Sequence, residues 1–190
     1  MKKFFYLLIS VFLFFSPVFA GPIHDAVEKG DVKKAVALLD KYDSLKNERN
    51  DYGWTPLHIA ANNKNFTMIR MLLEYDADVN ATANNGQTPL HKACYSSFTK
   101  GALCLINAGS DVNARTPNGV TPLMAAAYAG DKQIIYKLVS NGADVNVFGV
   151  HIAVVFEIRD NGAFLEDIAR RCVDSLCTTV GQKYKQNYRR

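Results

Sequence analysis

The 190-residue sequence has little net charge and no apolar run long enough for a membrane span. Lys and Arg number 22 and Asp and Glu 18, a formal net charge of +4 at pH 7. This balance does not suggest a nucleic-acid groove, which needs a basic stripe on the folded surface. The uncharged apolar run 4–15 has 12 residues, whereas roughly 20 are needed to cross a bilayer. We therefore expect neither nucleic-acid binding nor stable membrane insertion.

The common short motifs of enzymes are also missing. The sequence has no glycine-rich phosphate loop, no zinc-protease helix motif and no nucleophile elbow. We assign no catalytic residue, no cofactor and no metal ligand, and expect a protein without catalysis.

The first 20 residues have the order of a secretory signal peptide. Lys2 and Lys3 precede the apolar run 4–15, and the small residues Val18 and Ala20 follow it. This pattern predicts cleavage after Ala20, with an uncleaved anchor as the alternative. The short signal looks bacterial, so we expect the mature chain in the periplasm or outside the cell.

The sequence does contain an internal repeat. A Gly-x-Thr-Pro-Leu segment begins at Gly53, Gly86 and Gly119, and Asp-Val-Asn recurs at 78–80, 111–113 and 144–146. Both motifs recur every 33 residues. Two motifs with one period predict an array of stacked repeats.

Each repeat predicts a turn followed by two short antiparallel helices. The glycine suits a tight turn, the threonine can cap a helix, and proline fits the first helical position. A second apolar run at helical spacing follows, such as Met68, Ile69, Leu72 and Leu73. A unit this thin buries its apolar faces only by stacking on its neighbours.

The repeat resembles the ankyrin repeat family, with its period and its T-P-L-H-x-A signature. The resemblance covers roughly residues 23–146 and implies an all-α solenoid of stacked helix-turn-helix pairs with short β-turn or hairpin tips. The sequence departs from the family pattern at Lys64 and Ser97, where the family favours the glycine found at Gly130, and at Met124, which replaces the histidine.

The repeat boundaries give a provisional domain map. After the signal peptide (1–20) we expect an N-terminal capping repeat, three regular repeats, a degenerate C-terminal capping repeat with a long closing helix, and a basic disordered tail. Their ranges are 21–52, 53–85, 86–118, 119–148, 149–180 and 181–190. The segment 149–158 fits both a truncated helical repeat and a strand.

Histidines and cysteines receive structural roles. We expect His58, His91 and His151 to hydrogen-bond the capping threonine and the adjacent repeat rather than share a metal ion, because stacked repeats lie about 10 Å apart. His24 and Asp25 are expected at the surface.

The four cysteines are expected as buried thiols, with Cys94–Cys104 the one bridge worth testing. Cys172 and Cys177 lie on one predicted helix and cannot pair without breaking it.

The resemblance implies a concave binding face made of the turn tips and the exposed sides of the first helices. Tyr52 and Trp54 are the preferred anchor, because aromatic side chains often dominate binding energy. The alternative is that these positions simply tolerate change. The predicted partner-binding residues are Asp51, Tyr52, Trp54, Asn62, Asn63, Asn84, Asn85, Gln87, Tyr95, Ser96, Asn118 and Tyr128.

The resulting expectation is an exported, monomeric, non-catalytic protein that binds another protein of unknown identity. Three narrower functions remain open: a periplasmic immunity or inhibitor protein that blocks an enzyme or toxin, a secreted effector that acts on a host protein, and a structural or envelope-stress factor.

Overall fold

The computed structural model of the protein describes residues 21–145. The predicted signal peptide, the end of the third regular repeat (146–148), the C-terminal capping repeat with its closing helix and the basic tail lie outside the described residues. His151, Cys172 and Cys177 lie outside them as well.

Helices account for the regular structure of residues 21–145, which contain no strand. Each predicted repeat in this range supplies one inner helix and one outer helix, and a short 3-10 helix, Asp43–Asn47, follows the first pair. The inner helices are α1 (Pro22–Glu28), α3 (Pro56–Asn62), α5 (Pro89–Tyr95) and α7 (Pro122–Ala129). The outer helices are α2 (Val32–Lys41), α4 (Phe66–Glu74), α6 (Thr99–Asn107) and α8 (Lys132–Ser140). The predicted all-α solenoid of helix pairs is confirmed.

The threonine-proline pair begins each regular inner helix as predicted. The Thr121 hydroxyl accepts a hydrogen bond from the backbone N–H of Met124 at 3.3 Å, and proline occupies the first turn. Before the threonine the chain makes a tight turn, in which the Gly53 N–H donates to the carbonyl of Asn50 at 2.7 Å. Gly53 has a φ of +72°, which glycine adopts without steric cost. These turns are the tips of the repeats.

Most outer helices begin with a polar cap. The side chains of Asp31, Asn65 and Asp131 each accept a backbone N–H three residues later at 3.0 Å. Phe98 takes this position in the second regular repeat and provides no side-chain cap. A Cβ on Gly101 would collide with the Phe98 ring. The second regular repeat therefore has an aromatic packing contact where the other repeats have a polar cap.

The helices stack in two layers. Each inner helix packs on the next inner helix, and each outer helix packs on the next outer helix. The motif leucines Leu57, Leu90 and Leu123 are 0%, 0% and 1% exposed, so they lie at the centre of the inner layer. One continuous apolar core runs through all four helix pairs. The repeats therefore bury each other's apolar faces, as their thinness requires.

The Asp-Val-Asn motif joins successive repeats. The Asn80 side chain accepts the backbone N–H of Asp111 at 2.8 Å and donates to the carbonyl of Gly109 at 3.2 Å. Sequence analysis did not assign a role to Asn47, which makes the equivalent bond from the capping repeat. The three asparagine–aspartate pairs are Asn47–Asp78, Asn80–Asp111 and Asn113–Asp144, with distances of 2.8, 2.8 and 2.7 Å.

Two departures from the family pattern keep the backbone conformation of the glycine they replace. Lys64 and Ser97 have φ values of +56° and +52°, and the equivalent Gly30 and Gly130 both have +70°. The left-handed region costs an L-residue roughly 1–2 kcal/mol. The fold therefore retains the turn between the paired helices at two strained positions.

Candidate functional site

The inner-helix histidines tie each repeat to the next. His58 Nε2 donates to the carbonyl of Gln87 at 2.9 Å, and His91 Nε2 donates to the carbonyl of Val120 at 3.1 Å. Nδ1 of each ring accepts the backbone N–H of its own capping threonine, at 3.1 and 3.2 Å. One tautomer, protonated at Nε2, satisfies both sets of bonds. The predicted structural role of these two histidines is confirmed.

His24 corrects the sequence prediction. We expected it at the surface, but its side chain is fully buried, and Nε2 lies 3.0 Å from the carbonyl of Trp54. It is the capping repeat's counterpart of His58, since Gly21-Pro22-Ile23-His24 aligns with Thr55-Pro56-Leu57-His58. The His24 side chain is buried because α1 packs on α3 with the same face that α3 uses to pack on α5.

Burial determines the charge state of the regular-repeat histidines. Desolvation lowers the pKa of His58 to about 4, against a smaller opposing effect of the hydrogen bond to the Gln87 carbonyl. Desolvation also lowers the pKa of His91. Both rings are therefore neutral at pH 7.

A groove of about 370 Å³ opens between the capping repeat and the first regular repeat. It lies beside the first tip, between the end of α1 and the exposed side of α3. Five of the twelve predicted partner-binding residues line it: Asp51, Tyr52, Trp54, Asn62 and Asn63. Its other lining residues are Glu28, Asn50 and Ile59. We call this pocket the tip groove.

The two aromatic residues of the tip groove have different surroundings. Tyr52 is 70% exposed, whereas Trp54 is half-buried and packs against the core. Their ring centroids are 6.4 Å apart. The Lys92 ammonium lies 3.9 Å from the centroid of the Trp54 ring, within the range of a cation–π contact. Trp54 is thus partly a packing residue, and Tyr52 is the freer contact.

Asn50 holds the tip in shape. Its side-chain oxygen accepts the backbone N–H groups of Tyr52 and Trp54, at 3.0 and 2.9 Å. Its own backbone N–H donates to the carbonyl of Trp54 at 3.0 Å. The backbone at both aromatic residues is therefore held in a hydrogen-bonded turn.

The charged residues that line the tip groove are both acidic. Glu28, at the end of α1, and Asp51, at the tip, are exposed. The nearby cation, Lys92, is 9% exposed and lies against Trp54, and desolvation lowers its pKa. The groove therefore offers carboxylates, amides and aromatic surface to a ligand.

Tyr95 and Tyr128 form a second aromatic contact farther along the stack. Their rings meet edge to face with centroids 6.1 Å apart, and Tyr128 is 85% exposed. Ser96 is instead engaged in structure, because its hydroxyl donates to the carbonyls of Ala61 and Ala93. The tyrosine pair remains a surface feature, and Ser96 has a stacking role.

The predicted binding residues of the second tip also make hydrogen bonds within the fold. The backbone N–H of Asn84 donates to the carbonyl of Tyr52, and its side chain donates to the carbonyl of Asp51, at 3.0 and 2.8 Å. Asn85 and Gln87 hydrogen-bond each other. The structure therefore assigns Asn84 to tip stacking and Asn85 and Gln87 to the turn itself, while Asn118 is exposed at the third tip.

Cys94 and Cys104 are both free thiols in the structure. Cys94 is fully buried and Cys104 is half-buried. Burial raises the pKa of both thiols, because it disfavours the thiolate. Neither is poised as a nucleophile at neutral pH.

Sequence analysis missed three residues that line the groove, Glu28, Asn50 and Ile59, and the contact of Lys92 with Trp54. Glu28 and Ile59 line the groove because stacking brings α1 and α3 together beside one tip. Asn50 occupies the first position of the turn, where asparagine often bonds its own backbone, and that signal could have identified it.

No helix between residues 21 and 145 is long and apolar enough to cross a membrane. Among the same residues, no group of three or more His, Cys, Asp or Glu is placed to hold a metal ion.

Comparison with known proteins agrees with the architecture. A family model described as ankyrin repeats (3 copies) matches residues 23–116 and 78–149. A protein of fowlpox virus (strain NVSL), named as an ankyrin repeat protein, is 40% identical over 57 residues, which are 30% of this chain and 14% of the viral protein. Ankyrin repeats in general mediate protein–protein interaction, and proteins built from them are generally non-catalytic binding scaffolds. Because the family model matches these repeats and their helix pairs stack in the structure, this chain belongs to the ankyrin repeat family.

Proposed function

We propose that the protein is exported and acts as a monomer that binds another protein, without catalysis, through its concave face, with the tip groove as the main contact. The observation that carries this proposal is the convergence of Tyr52, Trp54 and the groove amides in one preformed pocket. The Asn50 bonds order this surface in advance, which lowers the entropic cost of binding.

The chemistry of the tip groove favours a partner segment with a lysine or arginine side chain. Glu28 and Asp51 supply two carboxylates at its edge, and Tyr52 supplies an exposed ring. Carboxylates attract a cation, and an aromatic face adds about 0.5–1 kcal/mol at an exposed site. The Tyr95–Tyr128 pair would extend the contact along the stack.

Export is proposed from the first 20 residues alone, whose basic start, apolar run and small residues fit a cleaved signal. The chain spans about one seventh of the curated relative that it matches. The chemistry of the partner is therefore inferred from the residues of the tip groove and not from that relative.

The test is affinity capture with the chain purified from the exporting cell, followed by mass spectrometry and a binding constant for the captured protein. Tyr52→Ala should weaken binding at least tenfold, the loss typical of an aromatic anchor. Tyr42→Ala is the matched control, because Tyr42 is also exposed, at 50%, but does not line the groove. Equal binding by Tyr52→Ala and Tyr42→Ala would remove the groove from the interface.

A charge test refines the partner chemistry. Glu28→Gln together with Asp51→Asn should weaken binding, and the loss should shrink at high salt because salt screens exposed charges. The identity of the captured protein then separates the narrower functions: an enzyme or toxin of the producing cell indicates an inhibitor, and a host protein indicates an effector.

A further inference from the structure

The capping repeat contains two buried polar atoms that lack hydrogen-bond partners. They are Nδ1 of His24 and Oε2 of Glu48, which lie 3.8 Å apart. That separation is too long for a hydrogen bond between them. Buried polar atoms are nearly always paired, so this site calls for a donor that can reach both.

The regular repeats show what normally occupies this position. In the first two of them, Nδ1 of the inner-helix histidine accepts the backbone N–H of the capping threonine, from Thr55 at 3.1 Å and from Thr88 at 3.2 Å. In the capping repeat Gly21 takes the place of this threonine as the N-cap of α1. His24 Nδ1 has no such partner there.

Glu48 fills the space that the threonine side chain would take. A Cβ placed on Gly21 would collide with the Glu48 carboxylate and lie only 2.7 Å from its Cδ atom. Gly21 is buried, and the Glu48 side chain is 36% exposed. The carboxylate is therefore held against the backbone of Gly21, at the first residue after the predicted cleavage point.

We propose that this site binds the α-ammonium group of Gly21 that is created when the signal peptide is removed. A signal peptidase adds water across the Ala20–Gly21 peptide bond, which leaves a carboxylate on Ala20 and an amine on Gly21 that takes up a proton. The peptide nitrogen had one N–H, whereas the ammonium has three N–H donors and a positive charge. It donates to His24 Nδ1, as the threonine N–H does in the regular repeats, and to the Glu48 carboxylate.

Removal of the signal peptide thus completes the first repeat. The Asp25 carboxylate, in the first turn of α1, is already engaged, because it pairs with Lys29 at 2.8 Å and with Lys34 at 3.4 Å. The Glu48 carboxylate, whose Oε2 has no hydrogen-bond partner, is therefore the acidic group available to the new amine. The inference rests on the proposed export, since only cleavage after Ala20 produces this group.

The experiment begins with the chain purified from the exporting cell, whose first residue is determined by mass spectrometry. A chain that does not begin at Gly21 overturns the proposed cleavage. The ammonium site itself is then tested independently on a chain whose Gly21 amine is freed from a removable N-terminal tag. The comparison chain retains Ala20, which turns the same nitrogen back into a peptide N–H.

The expected result is an α-amine pKa about one unit above its ordinary value of about 7.7–8.0, measured by NMR, because a nearby carboxylate favours the charged form. Glu48→Gln should return this pKa to the ordinary range, and the control Glu28→Gln, on the same repeat, should not. The free-amine chain should melt a few degrees above the Ala20-extended chain at pH 7.

An ordinary amine pKa in the unsubstituted chain overturns the site, whether or not Glu48→Gln folds. A raised pKa of His24 with an ordinary amine pKa would overturn it too, since His24 itself would then carry the charge that faces Glu48. Equal melting temperatures of the free-amine and Ala20-extended chains would count against it in the same way.

Discussion

The capping repeat and the regular repeats make the same bonds to their next neighbours but support those bonds differently. His24, His58 and His91 all reach a carbonyl of the following repeat, at 3.0, 2.9 and 3.1 Å. In His58 and His91, Nδ1 accepts the backbone N–H of the capping threonine of the same repeat. His24 Nδ1 has no such partner and lies 3.8 Å from the Glu48 carboxylate instead. The bond from histidine Nε2 to the next repeat is therefore common to all three repeats, whereas the group that faces Nδ1 differs in the capping repeat.

Burial shows the same contrast between the two regions. The outer helix of the capping repeat, α2, buries Ala35 and Leu39, whereas α4 buries Met68, Ile69, Met71 and Leu72. Among the described residues, α2 packs on one outer helix, α4, whereas α4 packs on an outer helix on each side. The regular repeats therefore contribute more of the apolar stabilisation.

The largest expected effect is a core truncation in a regular repeat. Leu90 is 0% exposed and lies between two neighbouring inner helices, so Leu90→Ala should lower the free energy of unfolding by about 2–5 kcal/mol. Ile23→Ala, at the equivalent position of the capping repeat, should cost less, because the outer helix that packs on α1 buries only Ala35 and Leu39. Denaturant unfolding measures both. Equal losses would remove the distinction between the two regions.

The next effect is a pH dependence that comes from the buried histidine of the first regular repeat. Desolvation lowers the folded-state pKa of His58 to about 4, below an unfolded value of about 6.5. The unfolded chain therefore binds more protons between these values, so the contribution is present above about pH 6.5 and is lost as pH falls towards about 4. The shift corresponds to about 3 kcal/mol.

The measurement is the free energy of unfolding of the unsubstituted chain and of His58→Gln at pH 7 and pH 4.5. Their difference isolates His58 from the carboxylates that titrate in the same range. His58→Gln should lose less stability on acidification than the unsubstituted chain. Parallel losses would show that His58 is not the group responsible.

The smallest effect concerns the turn between paired helices. Lys64→Gly and Ser97→Gly should each stabilise the protein by up to about 1 kcal/mol, because glycine adopts their left-handed φ without strain. Gly30→Ala, at the equivalent turn of the capping repeat, should destabilise by a similar amount. Thermal melting measures all three. A lower melting temperature for Lys64→Gly would mean that the lysine side chain makes a compensating contact.

The repeat architecture was predictable because two motifs keep one period over three copies. The capping threonines, the turn glycines and the roles of His58 and His91 follow from residue types whose physical preferences are local. His24 escaped prediction because Gly21 replaces the threonine. It lies 34 residues before His58, whereas 33 separate His58 from His91. The additional residue lies in α2, which has 10 residues where α4 has 9. The N-caps Asp31 and Asn65 are 34 positions apart, whereas the C-caps Tyr42 and Tyr75 are 33 apart.

The tip groove was only partly predictable. Sequence analysis named the tip residues, but the contact of Lys92 with Trp54 joins side chains 38 positions apart and depends on how two repeats pack. Asn84 and Ser96 looked like free polar contacts, yet both donate to carbonyls of the preceding repeat. Period and residue type locate such positions on the fold. Only the packed structure shows which of their polar groups are already used.

The histidine bonds and the three asparagine–aspartate bonds between repeats join residues 29 to 31 positions apart. No bond of this set skips a neighbour, so a pulling force on the two ends is transmitted through every interface between repeats in turn. Because interfaces in series carry the same force, the weakest of them separates first, wherever it lies in the stack.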